Sequence, residues 1–560
     1  MYFPIMDSAF DSLQPLPIGI QDFAQLRERG FLYVDKTELV HRLLKTSTAV
    51  FLSRPRRFGK SLLISVFQNL YEGRRELFQG LWIENHWDWS KTHPVVRISF
   101  GAGKFRVRGS FRAALREQLR SASLKHGIDI EGLAPEVAFA RILSCLSERG
   151  PKPVVLIDEY DKPILQCLED MSEVPGASTS LSHREPTDLA KLEAREEELS
   201  VLEENRQDLR AFYSCLKDAS PEFLFMTGVS RLAKASVFSE LNHLKDITWA
   251  EEYAALCGIT HRELERDFAP HLEAMAHRRK LAYSELLERL RRDYDGFRFA
   301  AGDDVPTVYN PFSTCRSLDE RDFGSYWTET GTPEFLVRLM RNSNVELGEV
   351  EGVWLSKSSL ATLDPSRPRV LPLLLQTGYL TIADWEDNNY RLGFPNREVR
   401  TAFVEHLLLV IHDKPSEEVA VRAQALAKAL LAGKIDKFLL EMKRVFTGIA
   451  YQLDDAHEKR YHGLFHALCI LAFAEKGLVL AEVPNAIGRS DLVIDLPETC
   501  WIFEFKRDTD TAEALAQIAE KEYANQWEGR KLPDGTTKPV KTVAVTFGTE
   551  ARNIVAWEAA

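Results

Sequence analysis

The chain has 560 residues, a formal net charge of −12 at pH 7, 45% hydrophobic residues and 28% charged residues. This length predicts about three to four domains, and the composition is that of an ordinary soluble protein with several buried cores. The acidic balance excludes a protein coated with nucleic-acid-binding charge, although Mg²⁺ and local basic clusters can still bring nucleic acid to a site.

The cysteines and the apolar runs indicate the cellular compartment of the protein. Seven cysteines are scattered without a C-x-x-C pair, which argues against zinc and favours a reducing compartment. No apolar run reaches the roughly 18 residues that a membrane helix needs, and the first residues lack the basic and apolar pattern of a leader. We therefore expect a cytoplasmic protein without a membrane partner.

The first chemical motif lies in AVFLSRPRRFGKSLL, residues 49–63. Gly59, Lys60 and Ser61 form the second half of a phosphate-binding loop. Backbone N–H groups at the helix start would cradle phosphate oxygens, Lys60 would reach the β- and γ-phosphates, and Ser61 would bind Mg²⁺. Arg54 replaces the first glycine of the pattern, which places a Cβ where glycine allows close backbone approach. The motif predicts an ATP site that binds nucleotide with or without hydrolysing it.

An acidic motif, PVVLIDEYDKP, follows at residues 153–163. Its five apolar residues end in Asp158 and Glu159. In a P-loop ATPase the aspartate of such a strand end holds Mg²⁺, and the glutamate polarises the attacking water. Residues 94–100 form another candidate strand between the two motifs.

A fourth strand, in residues 222–232, ends in polar side chains. Thr227 is expected to sense the γ-phosphate, and Arg231 is expected to act as a sensor or as a finger arginine. Alternating strands and helices predict a parallel α/β sheet with ligands at the carboxyl ends of its strands.

Several arginine clusters are candidate contacts for phosphate. Arg54, Arg56 and Arg57 form one such cluster at the phosphate-binding loop, and Arg57 is expected to contact the nucleotide or a nucleic acid. Residues 112, 116 and 120 are arginines at helical spacing, and Arg291 with Arg292 forms a further pair. Each cluster has the alternative interpretation of solvated surface charge.

The middle of the chain is predicted to connect two catalytic parts. Residues 165–220 resemble an insertion that ends in a long acidic helix, either packed on its own ATPase or acting as a lid or self-association arm. Residues 250–305 are predicted to form a helical lid. Residues 306–415 are predicted to be winged-helix-like, as a DNA contact or as a spacer; the non-basic wing favours the spacer. Residues 416–456 would form a helical bridge.

The second chemical site lies near the end of the chain. Strand-like runs at 479–485, 491–496 and 500–506 predict a meander between a buried helix at 461–475 and an amphipathic helix at 512–523. A last strand at 541–546 completes the order α-β-β-β-α-β.

The side chains of this meander suit phosphodiester cleavage. Asp491 and Glu504 provide two carboxylates for a hard cation that keeps some of its waters. Lys506 would orient or deprotonate a water and offset charge on the scissile phosphate. Glu504 and Lys506 are two residues apart, so both face one side of their strand, opposite Trp501 and Phe503.

These segments resemble a bacterial family in which an AAA-ATPase-like domain is fused to a PD-(D/E)XK nuclease domain. The matching stretches are LPIGIQDFAQLRERGFLYVDKTELV, RPRRFGKSL, LIDEYDKPI, TGVSRLAKASVFSELNHLKDIT, YDGFRF, VYNPFS and the C-terminal meander. The resemblance implies an α/β fold with an AAA-like P-loop core at 1–249 and a PD-(D/E)XK domain at 457–560. The resemblance also implies that Arg54 in place of the first glycine is a feature of the family rather than a defect of this chain.

The resemblance also implies further residues of the nuclease site and a function for the protein. Glu482 stands where such nucleases often add a metal-supporting carboxylate, and Ser490 stands in place of the signature proline. Gln517, Lys521 and Tyr523 would touch the substrate backbone. The family implies a Mg²⁺-dependent nuclease under ATP control, with DNA favoured over RNA, a role in defence, and self-association as AAA-type ATPases often show.

Two alternatives remain at this point. The nuclease fold can bind nucleic acid without cutting it, which would make the protein an NTP-dependent regulator. Both folds can also serve only as scaffolds. The intact Asp158-Glu159 and Glu504-x-Lys506 pairs count against a scaffold.

Overall fold

A computed structural model describes most of the chain: residues 13–171, 186–232, 243–327, 339–340, 350–360, 363–365, 368–412, 416–447, 458–473, 476–485 and 487–560. The chain divides into two compact units. The first contains Met1–Gly331 and Gly352–Glu398, and the second contains Thr332–Glu351 and Val399–Ala560. Both units mix helices and strands, which confirms the predicted α/β class.

A parallel sheet of five strands forms the centre of the first unit, in the order β2-β3-β4-β1-β5. Its strands are β1 (Ala49–Ser53), β2 (Val95–Ser99), β3 (Val154–Asp158), β4 (Phe223–Gly228) and β5 (Lys245–Asp246). Strands β1, β3 and β4 are buried along their whole length, as expected for parallel strands covered on both faces. The four predicted strands are confirmed, whereas the two-residue strand β5 was too short to give a sequence signal.

The described part of the first unit also contains helices, some of which pack on this sheet. They are Phe23–Glu28, Thr37–Thr46, Lys60–Tyr71, Ser110–His126, Pro135–Arg149, Lys162–Met171, Pro186–Ser214, Leu216–Ala219, His261–Asp267, Ala269–Arg279, Tyr283–Tyr294, Pro311–Glu320, Lys357–Leu360 and Val370–Thr377. Short 3-10 turns lie at Arg75–Phe78, Trp82–Asn85 and Glu251–Tyr253. None of the helices in the described ranges is long and apolar enough to span a membrane.

The predicted long acidic helix is present and begins at Pro186, slightly before its predicted start. Asn205 on this helix donates to the main-chain oxygens of Phe105 at 3.0 Å and Pro163 at 3.1 Å. Asp208 lies 2.6 Å from the Arg112 guanidinium. The described part of the helix therefore packs on its own ATPase-like unit. Most of the predicted loop before it, residues 172–185, lies outside the described residues.

Two smaller sheets complete the first unit. Strands β6 (Ile259–Thr260) and β7 (Val308–Tyr309) pair antiparallel, and β8 (Trp354–Ser356), β9 (Thr381–Glu386) and β10 (Asn389–Gly393) form an antiparallel sheet in the order β8-β10-β9. The predicted helix, two-strand wing and second helix of the winged-helix-like region are present. The division between the compact units falls at 398/399, inside that region.

The second unit contains a sheet in the order β11-β12-β13-β14-β15. Its strands are β11 (Leu478–Pro484), β12 (Arg489–Asp495), β13 (Cys500–Arg507), β14 (Val540–Gly548) and β15 (Asn553–Ala559), and its helices are Arg397–His412, Ser416–Leu431, Ile435–Thr447, Glu458–Phe473 and Thr511–Glu520. Only β13 and β14 pair in parallel. The predicted order α-β-β-β-α-β is confirmed, and β15 extends it.

The two faces of β13 pack against different helices. Phe503 lies 6.0 Å from Phe438 and 5.6 Å from Phe465, measured between ring centroids. On the opposite face, Ile502 packs in a buried cluster with Ile518 of helix 511–520. This alternation confirms that Glu504 and Lys506 share the face turned towards helix 511–520.

Candidate functional sites

The carboxyl ends of the parallel strands bring the first group of predicted residues to one edge of the sheet. Ser53 pairs with Gly228 across β1 and β4, and Ser99 pairs with Asp158 across β2 and β3. The phosphate-binding loop therefore leaves the sheet on the edge that also carries the acidic motif. This edge is where open parallel sheets bind their ligands.

The phosphate-binding loop ends at Gly59, which has a left-handed φ of 85° and precedes helix 60–71. The first N–H groups of a helix have no intrahelical acceptor, so this helix start presents donors for an anion. Lys60 is buried, and its Nζ donates to the main-chain oxygens of Arg54 at 3.0 Å and Pro55 at 2.8 Å. Burial lowers the pKa of Lys60, opposed by the charges of the nearby acidic motif.

Arg54 does not belong to an exposed basic cluster, because it is only 1% exposed. Its guanidinium donates to the main-chain oxygens of Thr248 at 2.8 Å and Tyr253 at 3.1 Å, and it lies 4.1 Å from the centroid of the Phe299 ring. Burial lowers its pKa to about 10. The replacement of the first glycine is accommodated because this side chain is held by the core of the unit.

Asp158 and Glu159 end β3 beside this helix. Asp158 is 2% exposed, and its Oδ1 has no hydrogen-bond partner. Burial raises its pKa, while contact with Ser61 and the charge of Lys60 lower it. Glu159 has a left-handed φ of 51° and lies 3.5 Å from the Lys162 ammonium. The structure thus brings Lys60, Ser61 and Asp158 together as predicted.

Thr227 and Arg231 follow on β4 and after it. The Thr227 hydroxyl is buried and donates to the Leu52 main-chain oxygen at 2.7 Å. The Arg231 side chain forms an ion pair with Asp246 and stacks over Trp249 at 4.7 Å. Both residues lie near the carboxyl ends of the parallel strands, and their sensor or finger roles stay predictions.

Asp161 is a residue of the acidic motif to which the sequence assigned no role. It is buried, and its carboxylate accepts from the main-chain N–H of Ser230 at 2.6 Å and from the Ser230 hydroxyl at 2.7 Å. A Cβ at Gly228 would lie 2.3 Å from its Oδ1, so glycine is required there. Asp161 therefore fixes the loop after β4 to the acidic motif, a long-range contact without a local sequence signal.

Asp491 and Glu504 form the centre of the second site. Asp491 accepts a 2.7 Å hydrogen bond from the Phe505 main-chain N–H, which draws its side chain towards β13. Glu504 is 2% exposed, and its Oε2 has no hydrogen-bond partner. Burial, and then the charge of Asp491, raise the pKa of Glu504 to about 8. The burial of the side chain and the negative charge of Asp491 thus both favour the protonated form of Glu504.

Gln517 connects Glu504 with Lys506. Its amide nitrogen donates to Glu504 Oε1, and its amide oxygen accepts from Lys506 Nζ at 2.5 Å. Lys506 also lies 3.6 Å from Glu504 Oε1. Sequence reasoning placed Gln517 against the substrate backbone; in the structure it holds the Glu-x-Lys pair in position. Tyr523 supports it, with its hydroxyl 3.3 Å from the Gln517 nitrogen.

Glu482 lies on β11, next to Ala481 and Val483, which pair with Leu492 and Ser490 on β12. This register places Glu482 opposite Asp491. Glu482 has a left-handed φ of 53° and an ion pair with Arg489, and its side chain is 41% exposed. It is on the correct strand to support a metal, and that role stays a prediction.

Three arginines of the other clusters form ion pairs within the unit, whereas Arg116 and Arg120 are exposed. Arg112 pairs with Asp208, and Arg291 lies 3.9 Å from the buried Asp295. Arg292 lies 3.0 Å from the buried Asp293. These contacts favour a structural role for the three arginines over the alternative of phosphate contact.

Both sites have a donor set that fits a divalent cation. Each contains one buried carboxylate oxygen without a partner, on Asp158 in the first unit and on Glu504 in the second. Among the residues that the structure describes, no group of three or more histidine, cysteine, aspartate or glutamate side chains could hold a metal. Mg²⁺ takes one or two carboxylates and completes its shell with water and phosphate oxygens, so a single carboxylate with an unpartnered oxygen at each site fits this ion.

These features define a chain with one unit of the P-loop, AAA-ATPase-like class and one unit with the Asp and Glu-x-Lys cluster of the PD-(D/E)XK nuclease class. A family model described as "Predicted AAA-ATPase" matches residues 17–182, and a model of the "PD-(D/E)XK nuclease superfamily" matches residues 456–557. No solved structure matches the chain.

An uncharacterized protein in the vnfD 5′ region of Azotobacter chroococcum mcd 1 is 33% identical over 556 residues. The match covers 97% of this chain and 98% of that relative. The chain therefore belongs to the family in which a predicted AAA-ATPase domain is joined to a C-terminal PD-(D/E)XK nuclease domain, as the sequence motifs indicated.

Proposed function

We propose that the protein is a Mg²⁺-dependent nuclease that cuts phosphodiester bonds under the control of ATP. The observation that carries this proposal is the cluster of Asp491, Glu504, Lys506 and Gln517, in which a buried carboxylate keeps an oxygen without a partner. A buried carboxylate with a raised pKa, in contact with other charged and polar side chains, is typical of catalytic sites.

The residues of this cluster have distinct roles in the proposed reaction. Asp491 and Glu504 bind the cation, which when present neutralises phosphate charge and lowers the pKa of a bound water. Lys506 donates to the reacting water or to the phosphate, and Gln517 holds the ammonium at 2.5 Å in the required direction. Glu482 supports the water shell of the cation from the neighbouring strand.

The nucleotide is proposed to bind at the edge of the parallel sheet. The start of helix 60–71 and Lys60 would hold its phosphates, and Lys60 would leave the main-chain oxygens of Arg54 and Pro55 to do so. Ser61 and Asp158 would hold Mg²⁺, and Glu159 would orient the attacking water. The phosphates would be contacted or sensed by the side chains of Arg57, Thr227 and Arg231.

The substrate class and setting follow from the pairing of the two domains. We propose DNA rather than RNA as the preferred nucleic acid, a cytoplasmic location, and a role against foreign DNA. ATP binding would change the conformation that presents the nuclease to its substrate. Self-association would let a neighbouring subunit supply an arginine to the nucleotide.

Substitution of Lys506 by alanine separates cleavage from binding. We expect a loss of cleavage of about 10²- to 10⁴-fold, the usual contribution of a positioned proton donor or acceptor, while the affinity for DNA stays close to that of the wild type. Initial cleavage rates and fluorescence anisotropy of a labelled duplex measure the two quantities.

The control for this substitution is Lys531→Ala, which removes an equal charge from an exposed position of the same unit. This control variant should leave the cleavage rate and the affinity for DNA unchanged. Full cleavage by the Lys506 variant would show that the site is assigned wrongly. DNA binding by the wild type without any cleavage would instead favour a regulator with a silent nuclease fold.

A further inference from the structure

The phosphate-binding loop contains an arginine whose backbone adopts a left-handed conformation, which is rare for residues other than glycine. Arg57 has a φ of 64° although it is not glycine. Its guanidinium carbon lies 3.8 Å from the centroid of the Phe312 ring. A non-glycine residue in the left-handed region persists at functional sites only where its surroundings hold it there.

Phe312 is itself held firmly. It lies in VYNPFS, at the start of helix 311–320, and Asn310 caps that helix by accepting from the Ser313 main-chain N–H at 2.9 Å. The cap fixes the direction of the first turn. The ring beneath Arg57 is therefore presented by an ordered helix start rather than by a loose loop.

A second aromatic group contacts the same loop. Phe58 is buried, and its ring lies 4.8 Å from that of Phe297 and 5.3 Å from that of Phe299. Arg54 stacks on Phe299. Phe297 and Phe299 belong to YDGFRF, so the two sequence motifs left without a role both supply rings to the phosphate-binding loop.

We propose that Arg57 and Phe312 form a positioning pair that holds the backbone of the phosphate-binding loop at Arg57 in its observed conformation and couples it to the segment 308–315. This proposal rests on the proposed function, because it describes the regulation of the same nucleotide site.

The coupling has a direct physical basis. An arginine over an aromatic ring is attracted by the electrons of the ring face, so movement of the loop must either move helix 311–320 or break the contact. Nucleotide binding to the loop would thus change the conformation of the segment 308–315. In return, changes in that segment would alter the affinity of the loop for nucleotide.

The test uses the full chain and two substitutions. Phe312→Leu removes the ring while leaving the strained φ in place, and Arg57→Gly relieves the φ while removing the guanidinium. The matched control is Phe323→Leu, because Phe323 lies 3.8 Å under Arg289 in a similar pair elsewhere in this unit. Phe312→Tyr is the conservative variant that keeps the ring.

Two quantities are measured: hydrogen exchange of peptides 54–63 and 308–315 in nucleotide-free protein, and the Kd for ATP. We expect Phe312→Leu to speed exchange in both peptides and to raise the Kd about three- to tenfold. Phe312→Tyr and Phe323→Leu should leave both quantities unchanged. The double variant with Arg57→Gly should have no larger effect than Arg57→Gly alone.

Faster exchange confined to 308–315, or additive effects in the double variant, would overturn the proposal. If the wild type does not bind ATP, the proposed function fails, and the exchange of peptide 54–63 in nucleotide-free protein still decides whether the pair holds the loop. The failures of the two proposals are therefore distinguishable.

Discussion

The Glu504→Gln variant is expected to lose cleavage and, in the absence of metal, to be more stable than the wild type at alkaline pH. Loss of the carboxylate removes one of the two charged cation ligands, so we expect at least about a 10³-fold loss of cleavage, within the range reported for single catalytic groups. The gain in stability follows from the raised pKa of Glu504.

The direction of the pH effect follows from proton linkage. The pKa of Glu504 is raised from 4.5 to about 8 in the folded protein, so the folded state keeps its proton where the unfolded state has lost it. The contribution of the protonated Glu504 to the free energy of unfolding is fully present below about pH 4.5 and is lost as the pH rises through about 8. We expect wild-type protein to lose about 2–4 kcal/mol from this group between pH 5 and pH 9.

Thermal unfolding in EDTA measures this difference. Glutamine does not titrate, so the variant should match the wild type near pH 5 and exceed its midpoint at pH 9. Mg²⁺ should raise the midpoint of the wild type and not that of the variant. Glu513→Gln, at an exposed position of helix 511–520, is the control; equal pH profiles for all three proteins would contradict the assignment of the site.

The Glu159→Gln variant is expected to bind ATP and fail to hydrolyse it. Glu159 ends β3 beside Asp158, with its carboxylate 3.5 Å from Lys162, and it is the residue proposed to orient the attacking water. Loss of that carboxylate should reduce ATP hydrolysis about 10²- to 10³-fold, whereas Lys60→Ala should weaken ATP binding itself. Phosphate release and a fluorescent ATP analogue measure the two steps.

The control for the ATPase variant is Glu148→Gln, an exposed glutamate on helix 135–149. It should hydrolyse ATP at the wild-type rate. Unchanged hydrolysis by Glu159→Gln would remove this residue from the mechanism. Comparison of DNA cleavage by Glu159→Gln with and without ATP then shows whether binding alone, or turnover, controls the nuclease.

Much of the architecture was predictable because the signals are local. The strands of the parallel sheet are short runs of apolar residues between turn residues, and the strand β13 alternates its polar and aromatic side chains with period two. Asp491 and Glu504 could be assigned to one cation because they lie on strands of a tight meander, in which neighbouring strands leave little freedom of register.

The contacts that position the side chains of the two candidate sites were not predictable from local pattern. Gln517 is 13 residues from Glu504, and Asp161 holds Ser230 across 69 residues. The burial of Arg54 was missed for the same reason, because the oxygens that hold it belong to Thr248 and Tyr253. A side chain's long-range partners depend on how the strands are ordered, which periodicity does not encode.

The most direct test of the central claim is a cleavage assay on the purified full chain. Linear and circular DNA, single- and double-stranded, and RNA are incubated with Mg²⁺, with and without ATP, beside Glu504→Gln and Glu513→Gln. We predict Mg²⁺-dependent, ATP-responsive cleavage of DNA by the wild type and Glu513→Gln that disappears in Glu504→Gln. Equal cleavage by Glu504→Gln, or no cleavage of any substrate by the wild type, would contradict the proposed function.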